Sequence, residues 1–342
     1  MNARLSGIAS GSRNWLVTGG AGFIGSHLVE TLLGLGQRVR VLDSFATGHR
    51  RNLEDAARGR EKSLDVIEGD IRDLETCRRA ARGSDVILHQ AALGSVPRSI
   101  EDPLAAHASN VTGFLNVLWA ARDSGVRRIV YASSSSVYGD HPGLPKVEGL
   151  VGRQLSPYAV SKYAGELYAH PFGLAYGLEL IGLRYFNVFG PRQDPDGPYA
   201  AVIPLWFQSL LEGHPVFING DGETSRDFCY VENVVQANLL AATTANPEAI
   251  GKVYNVAVGE RTTLLQLFEG SRAQVARFRP EAAAVRPVHR DARAGDVRHS
   301  LADVSRARRL LGYEPSVMVM EGLARTADWY RKNLGARDSG RP

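Results

Sequence analysis

Two stretches of this sequence carry residues that could do chemistry. "SPYAVSKYAGE" sets Tyr158 and Lys162 four residues apart, so on a helix both project from one face. A phenol with a pKa near 10 is a poor base at neutral pH, and a neighbouring ammonium favours its phenolate. Bringing such a phenol to about pH 7 takes about 4 kcal/mol of differential stabilisation. Upstream, "ASSSSVYG" at 132–139 places four hydroxyls ahead of an aromatic residue and a glycine. Alone, a serine run reads as a loop without a task, and a Tyr/Lys pair as the exposed face of an amphipathic helix. What surrounds them decides.

Near the amino terminus, "WLVTGGAGFIGSHLVETLLGLGQRVRVLD" spaces Gly19, Gly22 and Gly25 by three between a strand and a helix, and ends the next strand at Asp43. Order and spacing fit a dinucleotide site. Glycines let the backbone approach a pyrophosphate, the helix amino terminus supplies N–H donors, and the acid takes ribose hydroxyls. A carboxylate there would repel a 2′-phosphate, which favours NAD over NADP. Arg50 and Arg51 follow and could serve NADP, but in so arginine-rich a chain they read more simply as solvent-facing loop residues. With NAD⁺ bound, a positive nicotinamide would join Lys162 in lowering the Tyr158 pKa.

Strands and helices alternate from "NWLVTGG" through "RVRVLD", "LDVIEGD", "DVILHQAA" and "RRIVYASS", the signature of a parallel sheet with crossover helices. A long helix is expected over about 100–124 and another over 158–176, with Gly36 and Gly177 as stops. The strand "LELIGLRYF" follows. After Asn187 the rhythm breaks into turn-rich loops, with further helices expected near 201–212, 232–243, 304–311 and 320–333. The fold class expected is α/β: a Rossmann-type doubly wound parallel sheet with a smaller α/β substrate-binding carboxy-terminal domain. The expected domains are residues 1–186, binding NAD and joined by a returning segment near 227–258, and 187–342, mainly for substrate.

Bulk properties narrow the classes. The chain has 342 residues, 44% of them hydrophobic and 22% charged, an ordinary globular balance. Cys77 and Cys229 stand far apart without a CxxC or a histidine cluster, so neither a disulfide framework nor a metal site is expected. The first thirteen residues lack the apolar core of a signal peptide, and no run approaches a membrane span. A cytoplasmic protein with no membrane partner is expected. Net charge is +4 and the pI about 9.1, yet basic residues are interleaved with acids, which argues against a nucleic-acid partner. The excess of arginine over lysine reads equally as genomic composition or as suitability for phosphate ligands.

Together, the "TGGAGFIG" loop, the serine before "VYG" and the Tyr-x-x-x-Lys helix resemble the extended short-chain dehydrogenase/reductase superfamily. The resemblance spans nearly the whole chain and implies Ser134, Tyr158 and Lys162 as the catalytic set, with Ser133 structural. It places Phe23, Ile24, Asp70, Ile71, Gln90, Ala91 and Ala92 against the cofactor beside the glycines and Asp43, with Asp70 on the adenine. Related 4,6-dehydratases carry an acid at one or both of the next two positions, where Ser135 and Ser136 stand here. Elimination of water is therefore disfavoured.

Five segments, "HQAALGSVPRSIEDP", "YGDHPGLPKVE", "LRYFNVFGPRQDPDGPYAAVIP", "NGDGETSRDFCYVENVVQANLLAAT" and "GDVRHSLAD", look like those of UDP-hexose 4-epimerases, in particular the UDP-N-acetylglucosamine 4-epimerases of bacterial surface-polysaccharide synthesis. By that resemblance Asn187, Arg226, Arg293 and Asp296 hold UDP, the arginines on the diphosphate and Asp296 on the uridine ribose. Planar guanidinium donors suit the diphosphate. Ser95, Arg98, Ser135 and Val202 are expected to line the sugar site. Ser300 stands where relatives that reject acetylated sugars carry a bulky tyrosine, leaving room for an N-acetyl group. Asn110 either supports the active-site backbone or touches substrate. The function implied is reversible 4-epimerisation of UDP-N-acetylglucosamine and UDP-N-acetylgalactosamine by a homodimer. Epimerisation of another UDP-sugar, such as UDP-glucose or a uronic acid, and a non-catalytic NAD-binding scaffold are the alternatives.

Overall fold

The computed structural model describes residues 11–196, 199–291 and 297–334. Its main sheet contains β1 (Asn14–Thr18), β2 (Arg38–Asp43), β3 (Leu64–Glu68), β4 (Val86–His89), β5 (Arg128–Ser134), β6 (Glu179–Tyr185) and β7 (Val253–Val256). All pair in parallel, in the order β3-β2-β1-β4-β5-β6-β7. The helices are α1 (Phe23–Gly34), α2 (Arg50–Ala57), α3 (Leu74–Ala81), α4 (Val96–Glu101), α5 (Pro103–His107), α6 (Gly113–Asp123), α7 (Pro157–Tyr176), α8 (Val202–Glu212), α9 (Val231–Thr243), α10 (Leu264–Ala276), α11 (Ser305–Leu311) and α12 (Val319–Leu334).

The strand pleat distributes the core between two layers. Trp15, Val17, Val86 and Leu88 face one apolar cluster with Leu28 of α1, Leu53 of α2 and Val234 of α9. Their neighbours Leu16, Ile87 and Ile129 face the other, with Cys77 of α3, Phe114 of α6 and Ala169 of α7. Both sheet faces are thus covered, as the uninterrupted apolar runs of parallel strands require. Chain order reverses between β1 and β4, and in such sheets the crevice at that point receives the ligand.

Two local expectations need correction. The helix expected over 100–124 is broken: Asp102, before Pro103, has φ −135° and ψ 81° and caps α5 through its carboxylate on the Ala105 N–H at 2.9 Å. A residue before proline is disfavoured in helical conformation, and the path then passes a π turn at Ala108–Thr112 before α6. Arg50 and Arg51 open α2 rather than lying in a loop. Arg50 pairs with Glu68 and stacks 4.1 Å from the Phe45 ring centroid.

A third cluster, centred on α8, α10 and α12, forms the core of the carboxy-terminal half. Between these helices the chain returns to the sheet, with α9 on its face and β7 along β6. Phe207 is fully buried and stacks on Tyr330 with centroids 5.7 Å apart. Phe207→Ala empties that contact and is expected to lower stability by about 3–5 kcal/mol, read from denaturant or thermal unfolding.

Candidate active site

The loop between β1 and α1 is shaped by close approach. Gly19 has φ +70°, and a Cβ there would lie 2.6 Å from the Ala91 amide nitrogen. At Gly25 a Cβ would fall 2.0 Å from the Gly19 carbonyl oxygen, so only glycine fits at either position. Gly22 is the N-cap of α1 and no side chain caps the helix. The amides of Phe23 and Ile24 therefore stand at a helix amino terminus, where free N–H groups and the dipole favour an anion. Asp43, at the end of β2, accepts the Ala21 and Phe45 N–H groups at 2.8 Å each.

One cleft is lined by Gly19, Gly22, Asp43, Asp70, Ile71, Gln90, Ala91 and Ala92. The structure thus brings most of the expected cofactor residues to a single surface, and the side-chain-free cradle with an acid at the second strand end fits a dinucleotide. Asp70 lies there with both carboxylate oxygens on Arg72, and that guanidinium holds its pKa below the usual range. Gln90 is fixed by Asn238 at 3.1 Å and by the Tyr185 hydroxyl at 3.0 Å.

At the end of β5 the pleat separates successive serines. Ser133 donates to Glu166. Ser134 turns the other way, accepts the Ser136 N–H at 3.1 Å and hydroxyl at 2.9 Å, and lies near enough to the Tyr158 phenol to lower its pKa. Ser135 begins the 3₁₀ turn Ser135–Tyr138. Tyr158 lies in the first turn of α7, its N–H donating to Ser99 Oγ at 3.0 Å. One turn on, Lys162 Nζ donates to the Ala132 carbonyl at 3.0 Å. Burial raises the Tyr158 pKa and the Ser134 hydroxyl pulls it down. Burial also lowers Lys162 to about 8. His89, joined to Thr18 Oγ1 at 2.8 Å, is neutral, held at about 3 by burial and then by the Lys162 charge.

Asn110, in the π turn, clamps rather than lines. Its amide donates to the Leu93 carbonyl and Ser161 Oγ, both at 3.0 Å, and its oxygen accepts the Leu93 N–H at 2.8 Å. It thereby ties the loop after β4 to α7. Ser95, with φ +91°, caps α4, and Arg98 stacks 5.1 Å from the Tyr199 ring centroid.

Of the residues expected to hold substrate, Asn187 (φ +34°) donates to the Asp227 carbonyl at 3.0 Å. Arg226 lies in the two-residue strand Ser225–Arg226, and its guanidinium donates to the Ser225 and Arg298 carbonyls. Ser300 donates its N–H to the Ser225 carbonyl at 3.0 Å, and Val202 is the first residue of α8. Arg293 and Asp296 lie outside the described residues. The node that joins Asn187, Arg226 and Ser300 was not expected from the sequence. Fully buried Asp227 accepts N–H groups from Val258 and Gly259 at 3.0 Å and from Ala302 at 3.2 Å. Burial pushes its carboxyl up to about 7 against those bonds. Its one sequence signal is an acid set directly before the apolar "FCYV". Gln193 was also unexpected: its side-chain oxygen is buried with no hydrogen-bond partner among the described residues.

Residues 15–257 match the NAD dependent epimerase/dehydratase family. The chain belongs to that family. It is 38% identical to a UDP-glucose 4-epimerase of Mycolicibacterium smegmatis, over 92% of this chain and 98% of the relative. Among solved structures it resembles UDP-glucose 4-epimerase from Thermus thermophilus in complex with NAD, with 38% identity, a TM-score of 0.81 and coverage of 94% and 99% of the two chains. UDP-N-acetylglucosamine 4-epimerase from Methanobrevibacter ruminantium, in complex with UDP-N-acetylmuramic acid, gives 36%, a TM-score of 0.87 and the same coverage. This member of the epimerase/dehydratase family is thus an NAD-dependent enzyme with the Rossmann-like sheet of its relatives. No helix among the described residues is long and apolar enough to cross a membrane.

The lowered Lys162 pKa has a measurable sign. Between pH 8 and about 10.5 the unfolded chain still holds a proton that the folded chain has released, so folding gains stability as pH rises through that window. Thermal melts of the wild type and Lys162→Met are expected to diverge in favour of the wild type over that range, relative to their difference at pH 7.

Proposed function

We propose that this epimerase inverts carbon 4 of UDP-N-acetylglucosamine and UDP-N-acetylgalactosamine. Bound NAD would supply reversible hydride exchange at that carbon. The chain's own part is proton handling and grip. Tyr158, positioned against Ser134, takes the proton of the C4 hydroxyl as the hydride leaves, and gives it back when the hydride returns to the opposite face of the 4-keto sugar. Substrate loses and regains two electrons, so no net oxidation results. Ser135 and Ser136 offer no carboxyl to expel water, which supports epimerisation over dehydration.

In this reading residues 1–186 hold NAD, residues 227–258 return to the sheet, and the remainder of 187–342 mainly holds the UDP-sugar through Asn187, Arg226, Arg293 and Asp296. The observation that carries the sugar assignment is Ser300. Its small side chain follows directly on the His299 ring bonded to Ser225 Oγ at 2.8 Å, two residues from Asp227. A serine there leaves room for an acetamido group. Incubation of pure protein with UDP-N-acetylglucosamine is expected to yield UDP-N-acetylgalactosamine. Ser300→Tyr is expected to cut kcat/KM for the acetylated pair about 100-fold while sparing UDP-glucose. Absence of the acetylated product with any added cofactor, or equal loss on both sugars, would overturn the assignment.

A homodimer belongs to the same proposal. Val160, Leu167 and Leu174 recur every seven residues along α7, and their exposures of 55%, 58% and 77% leave an apolar stripe in the open. Ile100 and Leu104, exposed by 63% and 81% on the adjoining α4 and α5, extend it. Such a patch marks an association surface. Light scattering should report a dimer for the wild type and a monomer for Leu167→Glu combined with Leu174→Glu.

A further inference from the structure

Tyr158, Lys162 and Glu166 follow one another at four-residue spacing on α7. The first two face the reaction, whereas the third is turned into the protein. The Glu166 carboxylate receives Arg184 of β6 in a fork, Nε to Oε1 at 2.9 Å and Nη2 to Oε2 at 2.7 Å, with side-chain exposures of 6% and 2%. Oε1 also accepts the hydroxyl of Ser133, the residue before Ser134. Arg184 lies directly opposite Ser133 in the β5–β6 ladder. Its Nη1 donates to the Glu148 carbonyl at 3.1 Å and its guanidinium stacks 4.8 Å from the Tyr138 ring centroid. Tyr138 in turn donates to Asn255 Oδ1 at 2.6 Å.

We propose that the buried Glu166–Arg184 pair, acting through Ser133, is a positioning device that sets the Ser134 hydroxyl against the Tyr158 phenol. Neither residue touches the reacting atoms. They fix the two elements that do: β5 at Ser133, and α7 one turn beyond Lys162. The Lys162 bond to the Ala132 carbonyl is a parallel tether one residue earlier on the strand. A buried ion pair is a poor source of stability, because desolvation offsets its attraction and apolar side chains of the same volume serve as well. What the pair supplies and apolar packing does not is direction, since the planar fork accepts its carboxylate in one orientation. The inference rests on the reading that Ser134 and Tyr158 carry the proton.

Three variants separate direction from bulk: Ser133→Ala, which leaves the ion pair intact; Glu166→Gln; and Glu166→Met with Arg184→Met, which replaces the pair by apolar volume. Each is compared with the wild type and Tyr158→Phe, all loaded with NAD⁺, by turnover of the UDP-sugar and by ultraviolet titration of tyrosinate. A displaced hydroxyl is expected to lower kcat about tenfold in Ser133→Ala and about 100-fold in the double variant, with KM for the UDP-sugar within about twofold. Displacement of the Ser134 hydroxyl leaves the phenolate less favoured, so the tyrosinate titration and the acid limb of kcat both move to higher pH. The double variant is expected to melt no lower than the wild type. Wild-type kcat and an unmoved tyrosinate titration in Ser133→Ala and the double variant would overturn the inference, with or without a folded Glu166→Gln. A wild type that turns over no UDP-sugar would instead overturn the proposed function, and the tyrosinate titration would still decide the positioning role.

Discussion

Burial works against the very group on which the proposed reaction turns. The surroundings that shield Tyr158 make its phenolate harder to form, and the same surroundings weaken the ammonium meant to support it, bringing Lys162 to about 8. The protein answers partly with direction, aiming the Ser134 hydroxyl at the phenol. In the proposed reaction the oxidised nicotinamide, when bound, would supply further stabilisation through a positive charge that is present only part of the time. In that reaction Tyr158 would act as a base while a cation lies beside it and as an acid once that charge is gone. Reversible exchange with a sugar hydroxyl needs both behaviours from one group, and a permanently depressed pKa would give only the first.

The parallel sheet makes this arrangement possible because it brings every strand end to one side. β1 and β4 deliver the glycine loop and the backbone of Gln90, Ala91 and Ala92, and β5 delivers Ser134. α7 then lays Tyr158 and Lys162 across the end of β5. The expected UDP residues are organised differently, around a point rather than an edge. Asp227 gathers the main chain at Val258, Gly259 and Ala302 and holds Asn187 through its own carbonyl. A carboxylate with three N–H donors is a rigid centre. On the proposed function, such a centre would anchor the nucleotide while the keto sugar turns.

Much of this was legible in the sequence because it is written locally. Glycine spacing, a strand-ending acid and an i, i+4 pair are features of contiguous stretches, and the structure brings most of the expected cofactor residues to one cleft. Short apolar runs alternating with helical patterns likewise revealed the succession of strands and helices. What stayed hidden depends on partners distant in sequence. Glu166 meets Arg184 and Ser133 only because β5, β6 and α7 pack together, and nothing in "RDF" announces that Asp227 will receive amides from residues 258, 259 and 302. Other misses were local and avoidable. α10 opens with a capping box between Thr263 and Gln266, a recognisable start signal, and Pro103 should have broken the helix expected across it.

The four serines at 133–136 illustrate why a run of one residue type need not be low in information. The pleat turns Ser133 towards Glu166 and Ser134 towards Tyr158, and the 3₁₀ turn that follows hands the Ser136 hydroxyl back to Ser134. Identical side chains acquire separate tasks from backbone geometry alone. Ser300 follows the opposite logic. Its main chain is fixed by the Ser225 carbonyl, while its hydroxyl makes no hydrogen bond among the described residues. The fold therefore demands little of that side chain, which leaves its size free to vary, as the proposed role in substrate choice requires.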